Sequence, residues 1–236
     1  MLVVEDLQKR FAALRALDGF SLVAERGQLT GLIGPNGAGK TTAFGCISGA
    51  MRSSGGSILF EGRSIAGLPY HRVAKAGVVR TYQVVQTFAD MTALEAVTVG
   101  ALMRRPRLSD ARAHAASVIE FVGLGPKRDM LGKSLTIADK KRLEVARALA
   151  TEPVLLLLDE VMAGLTPAEA REAVELLRTI LAQGITIVMV EHVMEVLMPI
   201  ADRVVVLSAG KTIFSGTPAE ATHDPAVLEA YLGPPL

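Results

Sequence analysis

A glycine-rich loop that follows an apolar run is the feature that most constrains the fold of this chain. Residues 34–41 read GPNGAGKT, which matches the pattern G-x-x-x-x-G-K-[ST], and the run LTGLI occupies residues 29–33. Glycine lets a backbone turn tightly enough for several N–H groups to converge on one phosphate, and the helix that follows directs its positive end at the same point. The pattern predicts an α/β protein in which a buried strand leads into a P-loop nucleotide site.

The side chains of this loop are expected to divide the work of binding a nucleoside triphosphate. Lys40 is expected to reach the β- and γ-phosphates, and the hydroxyl of Thr41 is expected to ligate Mg²⁺. The predicted phosphate-binding segment comprises Gly34, Pro35, Asn36, Gly37, Ala38, Gly39, Lys40, Thr41 and Thr42. The expected cofactors are therefore ATP and Mg²⁺.

Two later strand-like runs end in residues that suit hydrolysis of the γ-phosphate. The run LLLLDE (155–160) places Asp159 at the end of a buried strand, where it is expected to help hold Mg²⁺ through the water ligands of the metal. The next residue, Glu160, is a candidate general base that polarises the attacking water. The run ITIVMV (185–190) leads to His192, which can hydrogen-bond the γ-phosphate and orient that water.

Composition agrees with a buried parallel sheet covered by helices and argues against several classes of protein. Of the 236 residues 50% are apolar and 4% aromatic, and the formal net charge is +1. This balance provides no general attraction to nucleic acid. A single cysteine, Cys46, excludes an internal disulfide and favours a reducing compartment. We expect no signal peptide and no membrane-spanning helix, because no apolar run approaches the roughly 20 residues that a span requires.

Local signals place strands towards both ends of the chain and a helical block between them. Strands are expected at 3–7, 20–24, 29–33, 57–62, 154–159 and 185–190, with a turn at 17–19 and a hairpin across 209–210. Capping-box spacing at Thr92 and at Thr166 predicts two helix starts. The predicted architecture is one domain over residues 1–236, with a mostly parallel sheet, a small antiparallel β part and a helical subdomain inserted at about 84–150.

The order of these motifs resembles that of the ATP-binding subunit of an ABC transporter, and the resemblance covers essentially the whole chain. A P-loop, a glutamine after an aromatic residue (Tyr82-Gln83), a helix-start motif, LLLLDE and a final His192 follow one another as in that family. The resemblance implies that Phe11 stacks on adenine, for which the alternative is a phenylalanine of the core. It also implies that Gln83 contacts Mg²⁺ and the attacking water and links the core to the helical subdomain.

The resemblance extends to residues 161–167 (VMAGLTP), which look like the family's loop that crosses to the other ATP-binding subunit. Two departures occur there: Val161 stands where the family has proline, and Thr166 stands where it has aspartate or asparagine. The resemblance implies a dimer, in which a different ATP-binding subunit is the favoured partner and a second copy of this chain remains open.

The motif that resembles the family's clamp is altered. In ABC proteins a segment close to L-S-G-G-Q begins a helix and closes over the nucleotide bound by the other subunit, and here residues 135–139 read LTIAD. Thr136 keeps the hydroxyl and has capping-box spacing to Asp139, so both residues are candidate nucleotide contacts. Ile137 and Ala138 add side chains where the backbone approaches phosphate, and Asp139 adds a negative charge unless it turns back to cap its own helix. We expect a weakened clamp.

The C-terminal part narrows the resemblance. Residues 190–233, which end in EAYLG, look like the branched-chain or hydrophobic amino-acid uptake branch of the family. This implies uptake of branched-chain amino acids, or of related amino acids and amides, through integral-membrane permease subunits supplied by a periplasmic solute-binding protein. It also implies a peripheral position on the cytoplasmic face of the inner membrane. The ATPases of lipopolysaccharide export look similar over much of this length and are the main alternative within the family.

Two other functions remain open at this stage. A soluble ABC-type ATPase that acts on DNA or ribosomes would carry a long coiled coil or a second cassette, and this chain has neither. Its formal net charge of only +1 also argues against a phosphate-backbone partner. A regulatory module that binds ATP without hydrolysing it would explain the altered clamp, although Lys40, Glu160 and His192 are all present.

Overall fold

The computed structural model describes residues 1–81, 89–192 and 194–232. Within these residues the strands are β1 (Leu2–Phe11), β2 (Leu14–Ala24), β3 (Leu29–Ile33), β4 (Gly55–Phe60), β5 (Arg63–Ser64), β6 (Val78–Arg80), β7 (Leu155–Asp159), β8 (Thr186–Val190), β9 (Arg203–Ser208) and β10 (Lys211–Gly216). The helices are α1 (Lys40–Ile47), α2 (Tyr70–Ala76), α3 (Ala93–Ala101), α4 (Leu108–Phe121), α5 (Ile137–Leu149), α6 (Pro167–Ala182), α7 (Met194–Leu197), α8 (Pro218–Ala221) and α9 (Pro225–Leu232). These elements confirm the predicted α/β class.

The larger sheet contains six of these strands in the order β10-β9-β3-β8-β7-β6. Neighbouring strands from β9 to β6 are parallel, and β10 is antiparallel at one edge. Every residue of β3, β7 and β8 is buried, as expected for a parallel sheet that is covered on both faces. The structure therefore confirms the mostly parallel core.

Three adjacent strands of this sheet end at the same level. Leu32 of β3 pairs with Val190 of β8, and Val190 in turn pairs with Asp159 of β7. Because parallel strands deliver their carboxyl ends to one edge of a sheet, the segments that follow them meet there. Those segments are the glycine-rich loop after β3, Glu160 after β7 and His192 after β8.

The smaller sheet is antiparallel, with the order β2-β1-β4-β5, and it corrects one prediction. The turn expected at 17–19 is absent from the described structure, because β2 continues through these residues while it pairs with β1. Gly19 has a φ of 106° and lies unpaired between Phe20, which is opposite Leu7, and Asp18, which is opposite Gln8. The glycine therefore forms a β-bulge, because pairing with β1 outweighs its local preference for a turn.

Helices α3, α4 and α5 pack together between β6 and β7 in chain order. The capping boxes predicted at Thr92, Thr136 and Thr166 are all present, each with the threonine hydroxyl accepting the N–H of the residue three positions later. The extent of a helical subdomain from about 84 to 150 stays a prediction, since residues 82–88 lie outside the described ranges. No helix in the described ranges is both long enough and apolar enough to span a lipid bilayer.

Candidate nucleotide site

The glycine-rich loop between β3 and α1 requires glycine at two positions for steric reasons. A Cβ on Gly34, whose φ is 151°, would lie 2.0 Å from the carbonyl oxygen of Leu207. A Cβ on Gly39, whose φ is 111°, would lie 2.6 Å from the carbonyl oxygen of Ala16. The two glycines let the chain turn against neighbouring backbone and begin α1 at Lys40 with free N–H groups at its amino end.

The side chain of Lys40 folds back onto the glycine-rich loop. Only 7% of its surface is exposed, and its ammonium group donates hydrogen bonds to the carbonyl oxygens of Gly34 at 2.6 Å and Pro35 at 3.0 Å. Burial lowers the pKa of Lys40, while the negative charges of Glu160 and Asp159 act in the opposite direction. The ammonium group therefore lies within the field of both carboxylates that were singled out from the sequence.

An open cleft of about 570 Å³ brings most of the predicted residues together. Phe11 lies at this cleft with 44% of its surface exposed, so the alternative that it belongs to the core is wrong. The ammonium group of Lys9 lies 4.8 Å from the centroid of the Phe11 ring. The lining comprises Phe11, Leu14, Arg15, Ala16, Asn36, Gly37, Ala38, Gly39, Lys40, Thr41, Thr42, Glu160, His192, Ala209 and Gly210.

Glu160 and His192 meet at this cleft. The Nε2 atom of His192 lies 2.8 Å from Oε1 of Glu160, and the side chain of Glu160 is only 15% exposed. The Glu160 N–H donates to the carbonyl oxygen of Val190 at 2.9 Å, which joins the end of β7 to the end of β8. A carboxylate and an imidazole in contact beside a phosphate-binding loop can together orient and polarise a water molecule.

Asp159 has a partner that the sequence reasoning missed. Its Oδ2 atom accepts a hydrogen bond from the guanidinium group of Arg80 at 2.6 Å, and the two side chains are 1% and 6% exposed. The guanidinium carbon also lies 5.7 Å from the centroid of the Phe44 ring. An arginine that ends the short apolar strand VVR was the available signal, because a charge there must find a partner within the site.

The remaining oxygen of Asp159 fits the expected metal. Oδ1 is buried and has no hydrogen-bond partner among the described residues. A buried carboxylate oxygen of this kind suits a hard cation or one of its water ligands. Thr41 lines the cleft, and Asp159 directly precedes Glu160, which also lines it. Thr41 and Asp159 would hold Mg²⁺. Gln83, the third predicted ligand, lies outside the described residues, so its role stays a prediction.

In residues 135–139, the altered clamp, the Asp139 carboxylate is buried and hydrogen-bonded within the protein. The carboxylate of Asp139 accepts hydrogen bonds from the Thr136 hydroxyl at 2.7 Å and from the ammonium group of Lys127 at 2.7 and 2.6 Å. Burial raises the pKa of Asp139, but the hydrogen bonds from Lys127 and Thr136 outweigh it and hold the pKa below its usual value. Asp139 therefore caps its own helix, while Ile137 is left 63% exposed. Residues 136–139 are absent from the lining of the cleft described above.

Comparisons with known proteins agree with this geometry. The family model for the ABC transporter matches residues 17–163, and the model for the branched-chain amino acid ATP-binding cassette transporter matches residues 211–233. The high-affinity branched-chain amino acid transport ATP-binding protein LivG of Salmonella typhimurium is 38% identical, across 99% of this chain and 98% of that protein. BraF of Pseudomonas aeruginosa, which has the same description, is 37% identical with the same coverage. The lipopolysaccharide export system ATP-binding protein LptB of Haemophilus influenzae is 31% identical, across 99% and 97%.

Solved structures support the same assignment. A nucleotide-free ATP-binding cassette from an ABC transporter superposes with a TM-score of 0.91 and 28% identity, covering 99% of each chain. The ADP conformation of another ABC transporter cassette superposes with a TM-score of 0.90 and 29% identity over the same share. The fold agrees with those cassettes, the phosphate-binding loop is present, and the relatives match over nearly their full length. The chain belongs to the ATP-binding subunits of ABC transporters and is a P-loop ATPase.

Proposed function

We propose that this chain powers the uptake of branched-chain amino acids, or of related amino acids and amides, through separate membrane subunits. The names of the relatives at 37–38% identity support this substrate class, and so does the family match at residues 211–233. The observation that carries the hydrolytic role is the 2.8 Å contact between Glu160 and His192 in the cleft that contains Lys40.

In the proposed mechanism each group of the cleft has a separate task. Phe11 offers its partly exposed side chain to adenine, and the backbone N–H groups of residues 34–42 hold the phosphates. Lys40 supplies a positive charge to the γ-phosphate. Glu160 accepts a proton from the attacking water, and His192 orients Glu160 and that water.

A proposed Mg²⁺ site would assist the residues that bind and hydrolyse ATP. Thr41 and Asp159, together with Gln83, would hold Mg²⁺ directly or through its water ligands. When bound, Mg²⁺ neutralises part of the negative charge that develops on the phosphates. Arg80 keeps Asp159 in one orientation, so that Oδ2 is occupied and Oδ1 remains available.

The partners proposed for the chain follow from its family and from its altered clamp. They are integral-membrane permease subunits, a second ATP-binding subunit and a periplasmic solute-binding protein, with the chain on the cytoplasmic face of the membrane. A different ATP-binding subunit with an intact clamp would complete the site that contains Lys40 and Glu160. The segment Thr136–Asp139 would complete the partner's site less well, because Ile137 projects from the first turn of α5.

Two experiments test this proposal. Membrane vesicles that contain the full transporter should import labelled leucine, isoleucine or valine only with ATP, and Lys40→Ala in this chain should abolish that import. Import of none of a panel of amino acids and amides would contradict the uptake role. Lipopolysaccharide transport in the same system would instead favour the export function that the similarity to LptB suggests.

A further inference from the structure

The turn that carries Glu160 has a backbone conformation that its surroundings must maintain. Glu160 has a φ of 50°, in the left-handed region that side chains other than glycine rarely adopt. Such a residue persists at a functional site only when neighbouring groups hold it there. Val161 follows, and valine does not restrict φ as a proline at this position would.

Lys141 makes one of the contacts that hold this turn. It lies on α5, and its ammonium group donates a hydrogen bond to the main-chain carbonyl oxygen of Glu160 at 2.8 Å. Burial lowers the pKa of Lys141, and the negative charges of Glu191 and Glu160 oppose that effect. Lys141 contacts the main chain of Glu160 and is not among the residues that line the nucleotide cleft.

Glu191 makes a second contact with the same turn. It is only 2% exposed, and its Oε1 atom accepts a hydrogen bond from the main-chain N–H of Met162 at 2.8 Å. Burial raises the pKa of Glu191, whereas hydrogen bonds from the N–H groups of Met162 and His192 and the charge of Lys141 act to lower it. One carboxylate therefore connects the turn after β7 with the backbone of His192.

We propose that Lys141 and Glu191 are positioning residues that hold the backbone of residues 160–162, so that the Glu160 carboxylate keeps its place beside His192. Lys141 fixes the carbonyl group of Glu160, and Glu191 fixes the N–H group of Met162. The inference rests on the proposed function, in which Glu160 activates the attacking water. Lys141 and Glu191 hold this backbone without lining the cleft themselves.

The position of Lys141 also ties this turn to the clamp helix. Lys141 follows Thr136, the N-cap residue of α5, by five positions. The helix whose amino end forms the clamp therefore carries the side chain that holds Glu160 of the same subunit. Displacement of α5 would consequently disturb the hydrolytic residue through this hydrogen bond.

Single-turnover hydrolysis of labelled ATP by an excess of the full-length chain tests the inference, because it measures slow rates directly. Lys141→Met should slow this step by about 10- to 100-fold, since misplacing a catalytic group by about 1 Å costs up to about 10²-fold. Lys141→Arg should recover part of the rate, because it keeps a charged donor. Lys140→Met is the matched control: it removes the same charge from the same helix without removing a contact to residues 160–162, and it should leave the rate within about threefold.

Three further measurements separate positioning from general stability. Equilibrium ATP affinity and the unfolding temperature of Lys141→Met should stay close to those of the parent chain. Glu191→Leu, which removes the acceptor for Met162 N–H, should be slower than Glu191→Gln, which keeps an oxygen there. In a Glu160→Gln background, Lys141→Met should cause no additional loss, because residues that act as one unit are not additive.

The inference is overturned if Lys141→Met hydrolyses ATP within about threefold of the parent chain. It is equally overturned if ATP affinity falls together with the rate, or if Lys141→Met slows the Glu160→Gln chain further. If Lys141→Met does not fold, the comparison of the two Glu191 variants decides by the same criteria. A normal rate in Glu160→Gln itself would instead refute the proposed function, so the two failures can be told apart.

Discussion

Removing Arg80 should destabilise the protein more than removing any exposed charge. The Arg80–Asp159 pair is 2.6 Å apart, and its side chains are 6% and 1% exposed, so Arg80→Met leaves a buried carboxylate without this partner. Breaking a buried ion pair in this way costs about 3–5 kcal/mol in the free energy of unfolding. For a chain of this size, a loss of about 1 kcal/mol in the free energy of unfolding lowers the melting temperature by about 2–4 °C. The expected melting temperature of Arg80→Met is therefore lower by about 6–20 °C.

Thermal unfolding followed by circular dichroism is the suitable assay, because the chain has no tryptophan for fluorescence. Arg178→Met provides the control, since Arg178 pairs with Glu175 at the surface and should cost less than about 1 kcal/mol. The double variant Arg80→Met with Asp159→Asn should be more stable than Arg80→Met alone, because the carboxylate of this pair is then no longer left buried without its partner. A melting temperature for Arg80→Met within about 2 °C of the parent would refute the argument.

Three further predictions concern the nucleotide site. Lys40→Ala should remove most ATP binding, measured by equilibrium titration, and unchanged affinity would contradict the role of the loop. Glu160→Gln should keep ATP binding but slow hydrolysis by about 10²–10⁴-fold; a near-normal steady-state rate would mean that another group activates the water. Ile137→Gly combined with Ala138→Gly should raise the hydrolysis rate of the isolated chain, provided that Asp139 is kept as the helix cap. No gain in that assay would show that the clamp tolerates its side chains.

Much of the site could be predicted from the sequence because its signals are local. The phosphate-binding loop is a contiguous segment, so its pattern can be identified without its neighbours, although the backbone that requires glycine at 34 and 39 belongs to Leu207 and Ala16, which are distant in the sequence. The threonines of the capping boxes bond to groups three residues away, so their spacing alone indicates a helix start. The apolar runs that form β3, β7 and β8 are buried throughout, and their continuous hydrophobicity was sufficient to identify them.

The sequence by itself therefore determined the fold class, the phosphate-binding loop and the identity of Asp159, Glu160 and His192 as strand-end residues. Only the tertiary structure decided which side chains hold them. Arg80 reaches Asp159 across 79 positions of the chain, and Met162 bonds to Glu191 across 29. Such pairs depend on which strands become neighbours in the sheet and on which helix packs behind them. Local periodicity and spacing do not predict these neighbours, because strand pairing and helix packing depend on burial and pairing over the whole chain.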